Sequence, residues 1–448
     1  MAIVSFAYAE ENNIPFVQVA KDITYLASDQ LKGRGNYSPE IRLAADYIAM
    51  RFKESGLSAP NNISGPGFLQ KYNIIKTIPK KISLVINGQN IATEKLTMAS
   101  TVINFSWSID NQNKNTEFTL HNINANDNMQ AIVSSLNKQG GQHIVLLNPA
   151  HTELFERYQH YFQQGTTKLI QENIDTKPRG VIVLALSTLT VEKINTLFVS
   201  GISTVNSTEL TNVVAVLPGK KNPEEIVLYS AHYDHLGVKV DKDKDKDNGK
   251  SDNIYNGADD DASGTTAIIN LAQYYAKQKN NARTLMFAAF SAEEIGGFGS
   301  RFFSSQIDPK KIIAMINIEM IGKPSKFGAG NIWMTGMNRS TLGQQLNTTL
   351  AKIGKQIYED PYPEQDLFYR SDNATLARLG VPAHSFSSTQ LDIAPHYHKT
   401  SDDILSLNLT SLHQVIEMLA IATQSLVDGS VTPSRINKES IKRKGIIF

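Results

Sequence analysis

Ionisable residues with metal-ligand chemistry fall at a few points in the second half of the chain, each beside an apolar run. His232-Tyr233-Asp234 follows Ile226 to Ser230, and Asp259-Asp260-Asp261 precedes a helical pattern that begins at Ala262. Glu293-Glu294 follows Leu285 to Phe290, Glu319 closes Ile312 to Ile318, and His398 lies in a polar loop after the apolar run at 381–386. If those runs are strands of one sheet, five acidic or imidazole groups arrive at its carboxyl end. Gathered carboxylates repel one another and lose hydration, so such a cluster calls for cations. Two zinc ions held by two histidines, one shared carboxylate and two further carboxylates form a neutral set, because four positive charges meet three carboxylates and one hydroxide. A shared aspartate suits ions roughly 3.5–4 Å apart, since each of its oxygens can take one ion. Taken singly, the pieces have plainer readings. His232 with Asp234 could be a hydrogen-bonded pair, the triple Asp an acidic helix start favoured by the macrodipole, and Glu293-Glu294 a solvated turn. Their joint placement at strand and helix ends favours the metal site.

The elements that must position these groups follow from periodicity. The runs at 226–231, 284–290, 312–318 and 381–386 are short and nearly unbroken, as expected of strands covered on both faces. Between the first two, Ala262 to Lys279 reads as an amphipathic helix with Ile268, Leu271, Ala272 and Tyr275 on one side. The expected class is α/β: a mixed, largely parallel central sheet with helices on both faces and the site at the carboxyl ends of the strands. Residues 15–58 read as helical, with Ser38 as N-cap, Pro39 at the first helical position, Ile41, Ala45, Ile48 and Phe52 at helical spacing, and Gly56 as the stop. From 76 to 205 short β-like runs, among them Ile82 to Ile86, Ile144 to Leu147 and Val181 to Leu184, alternate with Asn- and Gln-rich turns. The expected organisation is therefore a catalytic domain from 15–75 and 206–428, an inserted, mostly β lid-like module at 76–205, and a tail at 429–448 whose basic stretch, Lys438 to Lys444, is solvated. Asp241 to Gly249 has the Asp spacing of a calcium loop, but Asn248 stands where glycine is required and no Glu closes it. It reads as a solvated loop.

Composition narrows the classes. The chain has 448 residues, 41% apolar and 19% charged, with a formal net charge of +1, so nothing global points to nucleic acid or an anionic membrane. There is no cysteine, which removes disulfides, thiolate zinc sites and a cysteine nucleophile and leaves His, Asp and Glu as the ligands. No apolar run is long enough for a membrane span. Residues 1–14 read as a signal remnant: Met1 to Ala9 is a short apolar piece in which Ala7-Tyr8-Ala9 has the small-x-small pattern of a cleavage site, and a secreted or periplasmic protein is expected.

Several stretches resemble the co-catalytic di-zinc aminopeptidases, a family that includes bacterial leucyl aminopeptidases and, more distantly, glutamate carboxypeptidases and glutaminyl cyclases. They are Ser230 to Gly237 (SAHYDHLG), Asn256 to Gly264 (NGADDDASG), Phe290 to Gly296 (FSAEEIG) and Tyr397 to Asp402 (YHKTSD), with Leu26 to Gly35, Arg370 to Asn373 and Gly380-Val381-Pro382 in support. The resemblance covers about 15–75 and 206–428. It implies two zinc ions per chain. His232 and Glu319 would serve one ion, His398 and Glu294 the other, and Asp260 both. Glu293 would be the general base and acid, taking a proton from the attacking water and passing it to the leaving amine. Asp234 would orient the His232 imidazole, and Asp402 would act likewise near His398. The peptide bond joining Asp260 and Asp261 would be cis. Glu319 departs from the best-known members, which carry Asp there. His396 and His235 stand close to ligand positions and rank below His398 and His232. The implied activity is removal of N-terminal residues from peptides with a free N-terminus. A carboxypeptidase, a glutaminyl cyclase and a non-catalytic binding protein are the alternatives.

Overall fold

The computed structural model describes residues 13–61, 65, 67–110, 117–170, 179–239, 252–442, 445 and 447–448. Met1 to Ala9 and the loop Asp241 to Gly249 lie outside the described residues. The chain divides into two compact units, one running to Tyr72 and resuming over Leu210–Lys442, the other comprising Asn73–Glu209 and Arg443–Phe448.

In the first unit, a sheet is built from β1 (Leu197–Leu217, of which the part from Leu210 belongs here), β2 (Asn222–His232), β3 (Arg283–Phe290), β4 (Ile312–Ile318), β5 (Trp333–Met334), β6 (Tyr358–Glu359) and β7 (Ala383–Ser387). Their order is β6-β5-β7-β4-β2-β3-β1. The four central strands, β7, β4, β2 and β3, run parallel; β1 is antiparallel to β3 and β5 antiparallel to β7. The reason is visible in the side chains. Every residue of β3 is buried. Leu285, Phe287 and Ala289 enter one core with Val227, Tyr229 and Ala231 of β2 and Ala314, Ile316 and Ile318 of β4. Met286, Ala288 and Phe290 enter the core on the opposite face with Leu228, Ile312 and Met315. Period-two alternation between two apolar faces leaves no face for water, which is how a parallel sheet must be dressed.

Helices supply that covering. On the first face lie α1 (Phe16–Leu26), α2 (Ile41–Glu54), α3 (Gly264–Gln278) and α6 (Leu409–Ala422); on the second lie α4 (Phe298–Gln306) and α5 (Asn373–Arg378). The start expected at Ser38 is displaced. Arg42 N and Leu43 N bond to the carbonyls of Pro39 and Glu40, three residues back, so the first turn is tighter than α and regular helix begins at Ile41 with Glu40 as its cap. Gly56 follows with φ 78°.

In the second unit four strands lie in the order Leu96–Ser100, Gly180–Leu186, Gly141–Leu147, Thr119–Ile123. Helices Met129–Gln139 and Thr152–Gln163 pack on one face through Val133, Leu136, Phe155 and Phe162. The alternation recurs: Ile144 and Leu146 face one core, Val145 and Leu147 the other. The end of the chain contributes to both units. Ile436 and Ile441 are buried in the first, whereas Ile447 packs in the second, where Ile447 N and Phe448 N donate to Asn137 Oδ1.

Candidate metal centre

A parallel strand delivers its last residues to one rim of the sheet, and the chemistry collects there. His232 is the last residue of β2, Glu293 and Glu294 lie just past β3, Glu319 directly follows β4, and His398 stands in the loop after β7. Asp259, Asp260 and Asp261 lie in the turn before α3, and the Asp260–Asp261 peptide bond is cis, as the resemblance implies.

The spacings are those of ligands around ions. His232 Nε2 is 3.2 Å from Asp260 Oδ1 and 3.3 Å from Glu319 Oε1. His398 Nε2 is 3.3 Å from Asp260 Oδ2 and 3.3 Å from Glu294 Oε2. Two ligands on one tetrahedral zinc, each at about 2.05 Å, are separated by roughly 3.3 Å. Asp260 thus turns one oxygen to each group. Imidazole and carboxylate donors at these separations fit two divalent cations. Glu319 Oε2 accepts from Ser371 Oγ, so one oxygen of the longer side chain is anchored while the other faces His232. His396 stands apart, its Nδ1 paired with Ser401 Oγ.

Two expected orienting roles are carried differently. The His232 Nδ1–H points to the backbone carbonyl of Asp234 at 3.1 Å, while the Asp234 carboxylate is 3.7 Å away, beyond hydrogen-bond reach. That carboxylate instead accepts from Glu293 N, Glu294 N and Asn36 Nδ2. Asp402 does not hold the His398 ring; its carboxylate accepts from Asp259 N and Asp260 N, each at 3.1 Å, and from Lys323 Nζ at 2.9 Å. A third carboxylate, Asp261, accepts from Gly264 N and Met320 N at 3.0 Å and from His232 N at 3.3 Å. Three buried carboxyl groups therefore fix the backbone of the ligand-bearing turns, each accepting from at least two backbone amides.

Buried cations offset that charge. The Arg34 guanidinium lies under two ligand turns and donates to the carbonyls of Tyr233, Asn256 and Gly257 and of Leu26. Burial lowers its pKa to about 10. Neither Arg34 nor Lys323 carried a sequence signal beyond its neighbourhood, because both act on backbone groups brought near by folding.

The titration pattern is that of a site prepared for cations. Burial pushes the Glu293 carboxyl well above the usual carboxylate range, with Glu319, Asp372 and Glu294 adding to it. Burial opposes ionisation of Asp260 as well, but its hydrogen bonds with His232 and His398 outweigh this and hold it well below that range. Those with Asp260 and Glu294 raise His398 to about 10. Without cations, protons occupy imidazoles that a metal requires free.

Residues 212–423 match the model of Peptidase family M28. Among curated proteins, a probable leucine aminopeptidase of Arthroderma otae is 29% identical over 210 residues, covering 45% of this chain and 53% of that protein. A probable zinc metalloprotease of Pyrenophora teres f. teres is 34% identical over 170 residues, 34% of each chain. The chain spans about half the length of the leucine aminopeptidases it matches, 53%, 57% and 48% in three of them. Among solved structures, an aminopeptidase from Aneurinibacillus sp. strain AM-1 superposes with TM-score 0.53 at 18% identity over 97% of both chains. A zinc aminopeptidase from Bacillus subtilis does so with TM-score 0.53 at 15% identity, over 96% of this chain and 100% of that one. At such identities the likeness is one of fold, and it extends beyond the residues that the sequence relatives share. The rim that gathers His232, Asp260, Glu293, Glu294, Glu319 and His398 lies wholly within the stretch, residues 212–423, that matches the model of Peptidase family M28.

Proposed function

We propose that this protein is a two-zinc aminopeptidase that hydrolyses the first peptide bond of peptides with a free N-terminus. The observation that carries the reading is Asp260, whose two oxygens address two ligand pairs at 3.2–3.3 Å, with Glu293 beside them. His232, Glu319 and Asp260 would hold one ion and His398, Glu294 and Asp260 the other. Held by these residues, zinc would supply Lewis-acid chemistry, polarising a carbonyl and lowering the pKa of water.

The chain's own residues supply the remaining chemistry. Glu293 takes a proton on its carboxylate and returns it to the leaving amine; its buried setting raises its basicity towards the range a neutral-pH base needs. Asp234 holds Glu293 in place through the Glu293 amide. Beside Glu319 opens a cavity of about 60 Å3 lined by Met320, Trp333, Leu367, Leu391 and Tyr397 among others. Its Ser385 and Ser387 hydroxyls donate to Asn373 Oδ1 and Met320 O, so the wall offers mainly apolar surface. This supports an apolar side chain on the residue removed.

The test pairs zinc analysis with aminoacyl chromogenic substrates, with and without chelator. Free aminoacyl substrates should be cleaved, N-blocked ones not, and Glu293→Gln should lose about 10²–10⁴-fold in kcat while keeping its zinc. Full activity in Glu293→Gln, or equal cleavage of N-blocked substrates, refutes the proposal. One zinc per chain would favour the cyclase chemistry instead.

A further inference from the structure

Four groups surround the second ion's position: Asp260, Glu294, His398 and also His235. The His235 side chain is fully buried, its Nδ1 2.6 Å from Glu294 Oε1 and 3.9 Å from Asp260 Oδ2. By proximity alone His235, Asp260 and Glu294 could hold a metal. A fourth protein ligand would close the site, and closed four-ligand sites are structural rather than catalytic.

The distances separate the two histidines. Ligands that share a tetrahedral ion lie roughly 3.3 Å apart, given metal bonds of about 2.0–2.1 Å. His398 meets that spacing to both carboxylates at 3.3 Å. His235 meets it to neither: 2.6 Å is too close for two ligands and 3.9 Å too far. The shorter is the length of a charge-assisted N–H···O hydrogen bond. Nδ1 then carries the proton that is donated; the other ring nitrogen is Nε2. That nitrogen is buried and has no hydrogen-bond partner among the described residues.

The ring is held firmly in this attitude. Its edge meets the His398 ring, with centroids 5.8 Å apart at 68°. It lies against Gly257, where an added Cβ would come within 2.5 Å of two ring carbons. His235 N donates to the Arg34 carbonyl, so the backbone is pinned too.

We infer that His235 is a positioning residue whose Nδ1–H occupies Glu294 Oε1, leaving Oε2 as the one oxygen that faces the second metal. The pairing is consistent across the site, since Oε2 is the atom 3.3 Å from His398 Nε2. Residues that orient metal ligands typically change metal affinity by 10–100-fold when replaced. The inference rests on the two-zinc reading above.

The test compares His235→Asn with His235→Phe. An Asn amide nitrogen takes the place of Nδ1 and still donates; Phe keeps the ring and donates nothing. The readouts are zinc stoichiometry and affinity of stripped protein by titration against a competing chelator, and the visible absorption of the cobalt-loaded protein. In His235→Phe the second ion should bind about 10–100-fold more weakly and the first unchanged. His235→Asn should recover most of the loss, with a cobalt spectrum like that of the parent. Equal binding of both ions in His235→Phe overturns the inference. So does a failure of His235→Asn to recover accompanied by loss of a nitrogen ligand in the cobalt spectrum, which would make His235 itself a ligand. Should His235→Phe not fold, His235→Leu replaces it, smaller and likewise unable to donate. A parent protein that binds one zinc refutes the two-zinc reading instead, and one that binds two but cleaves no peptide refutes only the activity.

Discussion

The substitution Arg34→Lys tests whether the ligand turns depend on a cation placed beneath them. Arg34 is 1% exposed. Its Nε donates to Tyr233 O at 2.7 Å, Nη1 to Leu26 O at 2.5 Å and Asn256 O at 2.6 Å, and Nη2 to Gly257 O at 2.8 Å. Three guanidinium nitrogens thus satisfy four buried carbonyls, whereas a lysine has one nitrogen. An ammonium carries three N–H groups, so at least one carbonyl loses its donor, at about 1–3 kcal/mol, and the working figure is about 2 kcal/mol. The charge is also less secure. Burial already lowers the arginine to about 10, and the same burial acting on an ammonium, whose ordinary pKa is near 10.4, would draw it down towards neutrality. At about 2–4 °C per kcal/mol for a unit somewhat smaller than this one, the melting temperature should fall by about 4–8 °C. The assay is thermal unfolding in chelator, followed by fluorescence of Trp333 in a Trp107→Phe background, since those are the chain's two tryptophans. Trp333 reports on the first unit alone. A change of under about 1 °C would mean that the carbonyls find other donors, and the account of Arg34 would fail.

Three further outcomes are expected. Glu319→Asp shortens a side chain that reaches Ser371 with one oxygen and faces His232 with the other; it should weaken the first ion at least about tenfold, and unchanged affinity by chelator competition would count against the assignment. Gly264→Ala places a Cβ 2.3 Å from the Ile318 carbonyl and 2.5 Å from Asp261 Oδ1; it should cost about 1–3 kcal/mol by denaturant unfolding, and parental stability would contradict the packing. The folded pKa of His398, raised to about 10 by Asp260 and Glu294, lies above its unfolded value near 6.5. Its contribution to metal-free stability is therefore complete below about pH 6.5 and lost as pH climbs through 10. Melting temperature in chelator should decline over that window, less so in His398→Ala, and a rise would refute the pairing.

The parallel sheet was legible because Ile226 to Ser230, Leu285 to Phe290 and Ile312 to Ile318 are short apolar runs, interrupted only by Ser230 and Asn317, as strands buried on both faces are composed. The gathering of ionisable groups at one rim followed, since His232, Glu293, Glu294 and Glu319 stand at or just after the ends of such runs. What each group touches was less legible. Asp234 and Asp402 stand near His232 and His398 in sequence, which suggests ring-orienting carboxylates, yet both turn to backbone amides from other loops. Spacing cannot foresee that, because the amides are brought up by tertiary folding. Nor does spacing separate His232 from His235, both in one short segment; the distinction rests on which carboxylate each meets and at what length. The start of α2 shows the same limit at a smaller scale, where Ser38 and Pro39 carry the preferred cap chemistry but a tightened first turn moves the regular helix to Ile41.

The three carboxylates that grip backbone amides have a consequence for how the protein acquires its ions. Because Asp234, Asp261 and Asp402 shape the turns through hydrogen bonds within the protein, the loops do not rely on a cation alone for their form, and little chain entropy should be lost on loading. The expected outcome is that chelator-stripped protein keeps its fold and takes up cobalt or manganese at ambient temperature without refolding.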